Sequence, residues 1–578
     1  MRTHSLVMAV LISGAAFAED AGLQEPTDER LPELKGEAKA RIQNIEQFLT
    51  DWDIEGAKHE LGELEKVAPH DIEPVRYYRG RVAFEDGRYD AAVEELTASG
   101  VSDKPGSWLR LAKQTRAIVE KHERAESAHF IFLYPSGKDA VLVTWALDAL
   151  EAQRAALEKD LGYAPTEKIR VEIVGDASEL SRVSTLSKEA IRTTGTIAIC
   201  KFNKLMVTSP KAIVHGYDWL DTLAHEYTHL VVSKKSRNTV PIWMHEGLAK
   251  YLESRWRGPA GGAMTPFTLA LLGSRVRKNT LVPFEKMHPS MALLPTAEDA
   301  ATAFAEVFFA IQLIHSENGV DALERMLSAM AQGVGDKAAV ERVTKKKWAE
   351  FERGWTAYLK RQPFPKDLIP QSSNEKKELA ADPNQKAKKP EREISFGDFA
   401  EVHEVEARRA AHLGELLRER KRLPAATEQY ERAWKIVGNR YESISNKYAL
   451  ALLAVKQLDA AQKVLEGSLT VHPGSASTNV HLGRLALRKK DWALAKHAYI
   501  EALAVNPFDP EISVALFKVA SALNDAKLLE RAAHDARVLL RLDVAQLQQV
   551  AKRLGGDELV DVRLDGSQPP ATAVADAG

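Results

Sequence analysis

Two stretches of the chain carry apolar residues at helical spacing throughout. The first runs from about residue 36 to 126 and the second from about 400 to 545. Apolar positions three and four apart lie on one face of a helix, so both stretches are predicted to be amphipathic helices. In the second stretch, small residues and prolines recur at intervals of 35 and then 34 residues: Gly414, Ala426 and Ala433; Ala449, Ala461, Ser468 and Pro473; Gly483, Ala495, Ala502 and Pro507.

The stretch between them, residues 128–362, has a different pattern. Four short runs are rich in the Val, Ile and Phe that strands favour: 129–135, 169–175, 195–200 and 204–210. Long helical patterns follow these runs. Strands that precede helices favour an α+β domain over a doubly wound sheet. We therefore predict a mainly helical protein in which one α+β domain lies between two helical segments.

The recurring small residues resemble the tetratricopeptide repeat. In that family, small residues sit where two antiparallel helices cross and a proline ends the second helix. Residues 36–126 are similar, with Gly80 and Ala92 twelve apart. Stacked helix pairs form a solenoid with a concave groove, so the resemblance implies that a protein partner binds in this groove. A packing scaffold or dimerisation element is the alternative.

Composition narrows the class of partner. The 578 residues include 79 Lys and Arg against 81 Asp and Glu, and no basic stretch is interleaved with aromatics, so a nucleic-acid binder is not expected. An apolar fraction of 45% and a charged fraction of 28% are typical of globular proteins, and the length predicts several domains. Cys200, the sole cysteine, excludes an intramolecular disulfide and is interpreted as a small core residue.

Segments at the ends and in the middle are predicted to lie outside these domains. Arg2 precedes a short apolar run that ends at Ala16-Phe17-Ala18, so residues 1–18 are predicted to be a signal peptide cleaved after Ala18. The protein is then exported, to a periplasm or out of the cell. Residues 363–399 are predicted to be a charged linker and residues 556–578 a disordered tail. No later segment is predicted to span a membrane.

The sequence HEYTH at residues 225–229 carries candidate chemistry. Apolar spacing from residue 219 to 232 predicts a single helix, on which His225 and His229 are neighbours on one face. Both imidazoles can reach one zinc ion at about 2.0–2.1 Å. Glu226 is rotated by about 100° from His225, beside the ion. Such a carboxylate can accept a proton from a zinc-bound water, so Glu226 is the candidate catalytic base.

A catalytic zinc needs a third protein ligand. Pro241 suits the first turn of a following helix, whose pattern continues without a breaker to Gly258. Glu246 on this helix is the candidate ligand. His245 beside it is interpreted as a surface or supporting residue, because a fourth protein ligand would close the site to substrate.

The segments HEYTH and HEGLAKYLE, at residues 225–229 and 245–253, together resemble the gluzincin metallopeptidases, and residues 128–360 resemble the bacterial peptidase MA-like domains. The resemblance implies a thermolysin-like α+β fold and one Zn²⁺ held by His225, His229 and Glu246. It also implies that Glu253 orients a ligand histidine.

The function implied is that of an exported zinc metallopeptidase whose repeats recruit protein substrates. The aminopeptidase sequence Gly-x-Met-Glu-Asn is absent, which favours an endopeptidase or oligopeptidase. An edge strand in the region of residues 193–210 is the counterpart of the strand that holds the substrate backbone in those enzymes. Phe304 stands roughly where the relatives carry a hydroxyl-bearing or imidazole ring, so a weak catalyst is expected. The alternative is a tetratricopeptide scaffold whose peptidase-like domain binds metal without turnover.

Overall fold

The computed structural model describes residue 26 and residues 32–214, 216–262, 264–288, 290–291, 294–366 and 399–554, without the side chains of residues 193 and 194. The predicted signal peptide, most of the predicted linker and the predicted tail lie outside these residues. The chain forms two compact units, the first built mainly from residues up to Phe364 and the second mainly from residues after it. None of the described helices combines the length and hydropathy needed to cross a membrane.

Helices dominate both units. Up to residue 364 the α-helices are α1 Gly36–Thr50, α2 Ile54–Val67, α3 Glu73–Glu85, α4 Tyr89–Ala98, α5 Trp108–Val119, α6 Val143–Leu161, α7 Ala177–Val183, α8 Lys188–Thr194, α9 Trp219–Ser236, α10 Ile242–Leu252, α11 Pro266–Lys278, α12 Ala297–Asn318, α13 Ala322–Ala331, α14 Asp336–Thr344 and α15 Trp348–Arg361. Short 3₁₀ turns occupy Lys138–Leu142, Pro210–Ala212 and Phe284–Met287. The prediction of a mainly helical protein is confirmed for the described residues.

One five-stranded sheet lies in the first unit. Its strands are β1 His122–Glu126, β2 Phe130–Pro135, β3 Ile169–Val174, β4 Ala198–Lys201 and β5 Lys204–Thr208. They are ordered β1-β2-β3-β5-β4, with the central pairs β2–β3 and β3–β5 parallel and the outer pairs antiparallel. Helix α6 connects the parallel strands β2 and β3. The sheet is therefore mixed, and α6, α7 and α8 lie between its strands, so the predicted order of strands before helices holds only for the helices from α9 onward.

Strand β1 falls inside the segment that was predicted to be helical up to residue 126. Its sequence, HERAE, has no apolar run, and it pairs with β2 from His122 opposite Pro135 to Glu126 opposite Ile131. Backbone pairing at a sheet edge does not need apolar side chains, which is why the pattern gave no signal. The boundary predicted between the helical segment and the α+β domain is therefore wrong by one strand.

The N-terminal helices share one hydrophobic core with the sheet. Buried side chains of α1 to α5 form a continuous cluster with Ile199 on β4 and Met206 on β5. The ring of Phe202 lies edge-on to Phe84 and Trp108 at centroid distances of 5.4 Å. Helices α1 to α5 are therefore part of the first unit and do not form a separate module.

A buried polar network also ties these helices to the sheet. The Nζ of Lys204 lies 2.7 Å from Oε2 of Glu172 and donates to the hydroxyl of Tyr89 at 2.9 Å. The Tyr89 hydroxyl in turn donates to Glu172. Both charged side chains are fully buried. Burial lowers the pKa of Lys204, and the carboxylate of Glu172 opposes that shift by stabilising the ammonium.

The second unit is a series of helix pairs. Its helices are α16 Val405–Glu419, α17 Leu423–Val437, α18 Glu442–Ala454, α19 Leu458–Leu469, α20 Ala476–Lys489, α21 Trp492–Leu503, α22 Pro510–Leu523, α23 Ala526–Leu540 and α24 Val544–Arg553. Consecutive helices pack most closely in the pairs α16 with α17, α18 with α19, α20 with α21 and α22 with α23. The helix pairs agree with the repeat pattern, while the assignment to the tetratricopeptide family stays a prediction.

Glycines let the paired helices approach closely. A methyl group added at Gly414 would lie 2.9 Å from the ring of Tyr430, and one added at Gly483 would lie 2.5 Å from the ring of Tyr499. Each ring is sixteen residues after its glycine. In the first unit, Gly80 faces Leu96 at the same offset, with 2.6 Å between the added carbon and Cγ. The small residues in the repeat pattern therefore mark helix crossings in both units.

The variant Glu172→Leu leaves the ammonium of Lys204 buried without its carboxylate. Removal of one partner of a buried pair costs about 3–5 kcal/mol, so we expect the free energy of unfolding of the first unit to fall by that amount in a denaturant titration. The double variant Glu172→Leu, Lys204→Met removes both charges and should recover most of the loss. Equal destabilisation of the single and double variants would show that the ion pair is not responsible.

Candidate metal centre

Helices α9 and α10 hold all the residues of the predicted site except Glu253, which directly follows α10. The turn between the helices is tight, because Arg237 and Asn238 both adopt the left-handed conformation with φ 55°. Pro241 precedes α10, and its carbonyl accepts the backbone N–H of His245. Helix α9 packs against α10 on one side and against β4 and β5 on another. The helix pair is thus enclosed, and so are the polar residues between its members.

The three predicted ligands meet between these helices. Nε2 of His225 lies 3.0 Å from Nε2 of His229, and Oε2 of Glu246 lies 3.4 Å and 3.5 Å from these two atoms. The exposed fractions of the three residues are 3%, 0% and 1%. Among the described His, Cys, Asp and Glu side chains, these three form a group whose ligand atoms all lie within 4.8 Å of one another, close enough to hold a metal ion.

The spacing of these atoms fits a zinc ion. Ligands about 2.0–2.1 Å from a tetrahedral zinc are separated from one another by about 3.3 Å, and the three separations here are 3.0, 3.4 and 3.5 Å. Two imidazole nitrogens and one carboxylate oxygen are also the donor set of catalytic zinc sites that leave the fourth position to water or substrate. The residues present therefore fit the ion that the sequence pattern implies.

Glu226 is placed beside the three ligand atoms rather than among them. It is fully buried, and no side chain among the described residues donates a hydrogen bond to its carboxylate. Burial raises the pKa of Glu226 to about 8, with a further contribution from the negative charge of Glu246, while His225 and the backbone of Cys200 on β4 oppose the shift. A buried carboxylate without a side-chain donor is positioned to accept a proton from a ligand in the site.

Glu253 lies against the first histidine. Its Oε2 is 3.0 Å from Nδ1 of His225, and its other oxygen pairs with the ammonium of Lys250. Burial lowers the pKa of His225, but the hydrogen bonds to Glu246 and Glu253 outweigh burial and raise it to about 10. With Nδ1 held by this contact, Nε2 of His225 is directed at the other two ligand atoms. The family resemblance implies this position for Glu253.

The second histidine has a different neighbour. Nδ1 of His229 lies 2.8 Å from Nδ1 of His245, whose Nε2 lies 3.1 Å from the hydroxyl of Ser233. His245 is fully buried, so its interpretation as a surface residue is wrong, while the supporting role stays a prediction. Burial lowers the pKa of His229 to about 4 and that of His245 well below its usual range.

Gln153, outside the motifs, bridges the helix pair, and Gly247, within the second motif, admits a third helix against it. The amide of Gln153 on α6 donates to the hydroxyl of Thr228 and to the carbonyl of Leu252, each at 3.0 Å. A methyl group added at Gly247 would lie 2.9 Å from the carbonyl oxygen of Val307, so the glycine permits close packing of α12 on α10. Local patterns could not identify Gln153, because its partners are 75 and 99 residues away.

Helix α10 also ends earlier than predicted. It stops at Leu252, whereas the sequence has no breaker before Gly258. The carbonyl of Leu252 accepts the Gln153 amide, and the carbonyl of Tyr251 accepts the backbone N–H of Gly261. The Leu252 carbonyl also accepts the backbone N–H of Arg255, three residues on, so the chain after α10 continues in a tighter turn than an α-helix.

Phe304, at the position where the relatives carry a hydroxyl-bearing or imidazole ring, packs against the hydrophobic cluster of the N-terminal helices and the sheet. On the same helix, Nδ1 of His315 lies 2.9 Å from the hydroxyl of Tyr251. Strand β4 is an outer strand of the sheet, as the family resemblance implies for a substrate-holding strand, and Cys200 on it is fully buried. Burial raises the pKa of the Cys200 thiol well above its usual range, consistent with a core residue.

Comparison with known families bears on the same stretch of chain. Residues 149–361 match the Peptidase MA superfamily. The match includes α9, α10 and the three candidate ligands, so this part of the chain is a metallopeptidase-like domain. No curated protein matches the sequence.

Two solved structures are similar over much of the chain. The crystal structure of the APC/C hetero-tetramer Cut9-Hcn1 is 11% identical, with 88% of this chain and 80% of that chain covered and a TM-score of 0.24. The structure of yeast LTA4 hydrolase in complex with bestatin is 13% identical, with 72% and 67% covered and a TM-score of 0.25. Similarity at this level carries no argument about the fold or the function of this chain.

If the three residues bind zinc, His229→Ala should remove one of three protein ligands and abolish stoichiometric metal. We expect about one zinc per chain in the wild-type protein and almost none in the variant, measured by atomic emission after desalting. His481→Ala, at a histidine of the second unit, is the control and should keep the metal. Full zinc occupancy in the His229→Ala protein would show that the ligand set is wrong.

Proposed function

We propose that the chain is an exported zinc-dependent metallopeptidase of the gluzincin type that hydrolyses internal bonds of proteins or oligopeptides. The observation that carries this proposal is the convergence of His225, His229 and Glu246 at the separations zinc requires, with Glu226 beside them. The match of residues 149–361 to the Peptidase MA superfamily supports it.

The ion would supply a positive charge that polarises the peptide carbonyl and lowers the pKa of water. The protein side chains then provide the rest of the chemistry. Glu226 accepts a proton from the attacking water at a carboxylate oxygen, and the same carboxyl group can deliver a proton to the departing amine. To hold the ion, His225 and His229 would each present an unprotonated Nε2, and Glu253 holds the first of them in place through Nδ1. The outer strand β4 is proposed to align the substrate backbone by hydrogen bonding.

The second unit is proposed to recruit protein substrates or partners. Its helix pairs have the repeating glycine-to-ring contacts of a stacked array, exemplified by Gly414 with Tyr430 and Gly483 with Tyr499. Arrays of this kind present a concave surface along which a peptide or protein segment can bind. Deletion of residues 399–578 should then raise the KM for a protein substrate more than for a short peptide. An equal effect on both substrates would contradict recruitment.

A non-catalytic scaffold with a metal-binding domain is the second candidate. Two observations favour it. Glu226 is fully buried in this structure, so a substrate reaches it only after neighbouring residues move. Phe304 packs in a hydrophobic cluster and has no hydroxyl with which to stabilise an oxyanion.

The variant Glu226→Gln separates these two candidates. It keeps the shape of the side chain and removes the basic carboxylate, so we expect zinc to stay bound and hydrolysis of an unfolded protein substrate to fall by about 10²–10⁴-fold. The control is Glu306→Gln, which alters another buried carboxyl group whose pKa burial raises to about 8. Chelator should abolish wild-type cleavage. A zinc-loaded wild-type protein that cleaves no substrate would favour the scaffold.

Export is proposed from the N-terminal sequence alone. The apolar run before Ala16-Phe17-Ala18 is typical of a signal peptide with its cleavage site. The protein isolated from the periplasmic or extracellular fraction of its native cell should begin at Glu19, as determined by N-terminal sequencing. An intact N-terminus on a protein confined to the cytoplasm would contradict export.

A further inference from the structure

The two candidate zinc-binding histidines are supported by different chemical groups. Nδ1 of His225 lies against the carboxylate of Glu253, at 3.0 Å. Nδ1 of His229 lies against another imidazole, that of His245, at 2.8 Å. The far nitrogen of His245 lies 3.1 Å from the hydroxyl of Ser233. His229, His245 and Ser233 are all fully buried.

The proton positions follow from the role of the second histidine. If His229 gives the lone pair of Nε2 to a metal, its neutral ring carries the proton on Nδ1. Two nitrogens 2.8 Å apart share a hydrogen bond only when one of them is protonated, so Nδ1 of His245 must be the acceptor. A neutral His245 then carries its own proton on Nε2. That proton points at the oxygen of Ser233, which accepts it.

We propose that His245 is a positioning residue that, together with Ser233, fixes His229 in the tautomer and orientation that present Nε2 to a metal ion. The proposal rests on the metal-binding part of the proposed function and does not require hydrolysis. Ser233 is one helical turn beyond His229 on α9, and His245 is the residue before the ligand Glu246 on α10. The two helices that provide the ligands therefore also provide this support.

The proposed hydrogen bonds restrict the ring in two ways. Rotation of His229 by half a turn about its Cβ–Cγ bond would break the contact to His245 and leave a buried donor without an acceptor, which is unfavourable. The other tautomer of His229 would place two lone pairs against each other at 2.8 Å. Supporting residues of this kind typically account for about 10–100-fold in metal affinity.

Variants at His245 test whether the acceptor is what matters. In His245→Asn, an amide oxygen takes about the place of Nδ1 and can accept from His229, whereas His245→Leu fills similar space without an acceptor. We expect the zinc dissociation constant, measured by competition with a chelator, to rise about 10–100-fold in the Leu variant and to stay within about threefold of wild type in the Asn variant. Equal weakening in both variants, or no weakening in a folded Leu variant, would overturn the proposal.

The serine has a matched control on the same helix. Ser233→Ala should weaken zinc binding by a smaller factor, since it removes the acceptor for His245. Ser236→Ala should leave the affinity unchanged, because the hydroxyl of Ser236 is also fully buried but donates to the backbone carbonyl of Val232 at 2.7 Å. Similar affinities for the two alanine variants would remove Ser233 from the proposal.

Nitrogen-15 spectra of histidine-labelled wild-type protein provide a readout that does not depend on any variant folding. In the zinc-loaded protein, His229 should carry its proton on Nδ1 and His245 on Nε2. A proton on Nδ1 of His245 would refute the proposed arrangement, and so would a wild-type protein that binds no zinc. A wild-type protein that binds zinc with these tautomers but cleaves nothing would contradict the proposed peptidase function alone.

Discussion

The structure of the first unit depends on bringing three electron-rich atoms together away from water. Nε2 of His225, Nε2 of His229 and Oε2 of Glu246 meet at separations of 3.0 to 3.5 Å in a buried space. Atoms of this kind repel one another unless a proton or a cation lies between them, and burial removes the water that would screen the repulsion. A proton on His225 or a bound cation relieves that repulsion, and the contacts around α9 and α10 hold the three atoms in place.

Several contacts do so, each with a different chemistry. Gln153 bridges the two helices by hydrogen bonds, and Gly247 permits a third helix to pack on α10 without a gap. Lys234, near the end of α9, donates to the backbone carbonyl of Trp52 in the N-terminal region. Asn238, just beyond α9, donates to the carbonyl of Thr50. The N-terminal helices thus support the helix that carries HEYTH through hydrogen bonds as well as through the shared core.

The sequence predicted those features that depend on local patterns. Helix α9 and the strands β2 and β3 follow apolar spacing, and the structure has them within a few residues of the predicted ranges. The ligand set was predicted from the spacing of His225, His229 and Glu246. The structure brings these three residues together, and their role as ligands stays a prediction. Strand β1 could not be predicted in this way, because its charged sequence pairs through backbone groups alone.

Features that depend on distant partners could not be predicted. The buried position of His245 results from the packing of α10 on α9, and its neighbours His229 and Ser233 are 16 and 12 residues away. The amide of Gln153 bonds the carbonyl of Leu252, the last residue of α10, from 99 residues earlier in the chain. In each case the residues are present in the sequence, but local patterns do not show which distant residues contact each other.

The shared core between the N-terminal helices and the sheet determines the smallest fragment that can fold. The family match begins at residue 149, yet β1 and β2 precede it, and the sheet buries Phe202 against Phe84 and Trp108 from helices that begin at Gly36. A fragment cut at the family boundary would lose two of the five strands and expose an aromatic surface. The stretch recognised by sequence similarity is therefore smaller than the part of the chain that folds together. Recombination could exchange the metal-binding segment only together with the helices that precede it.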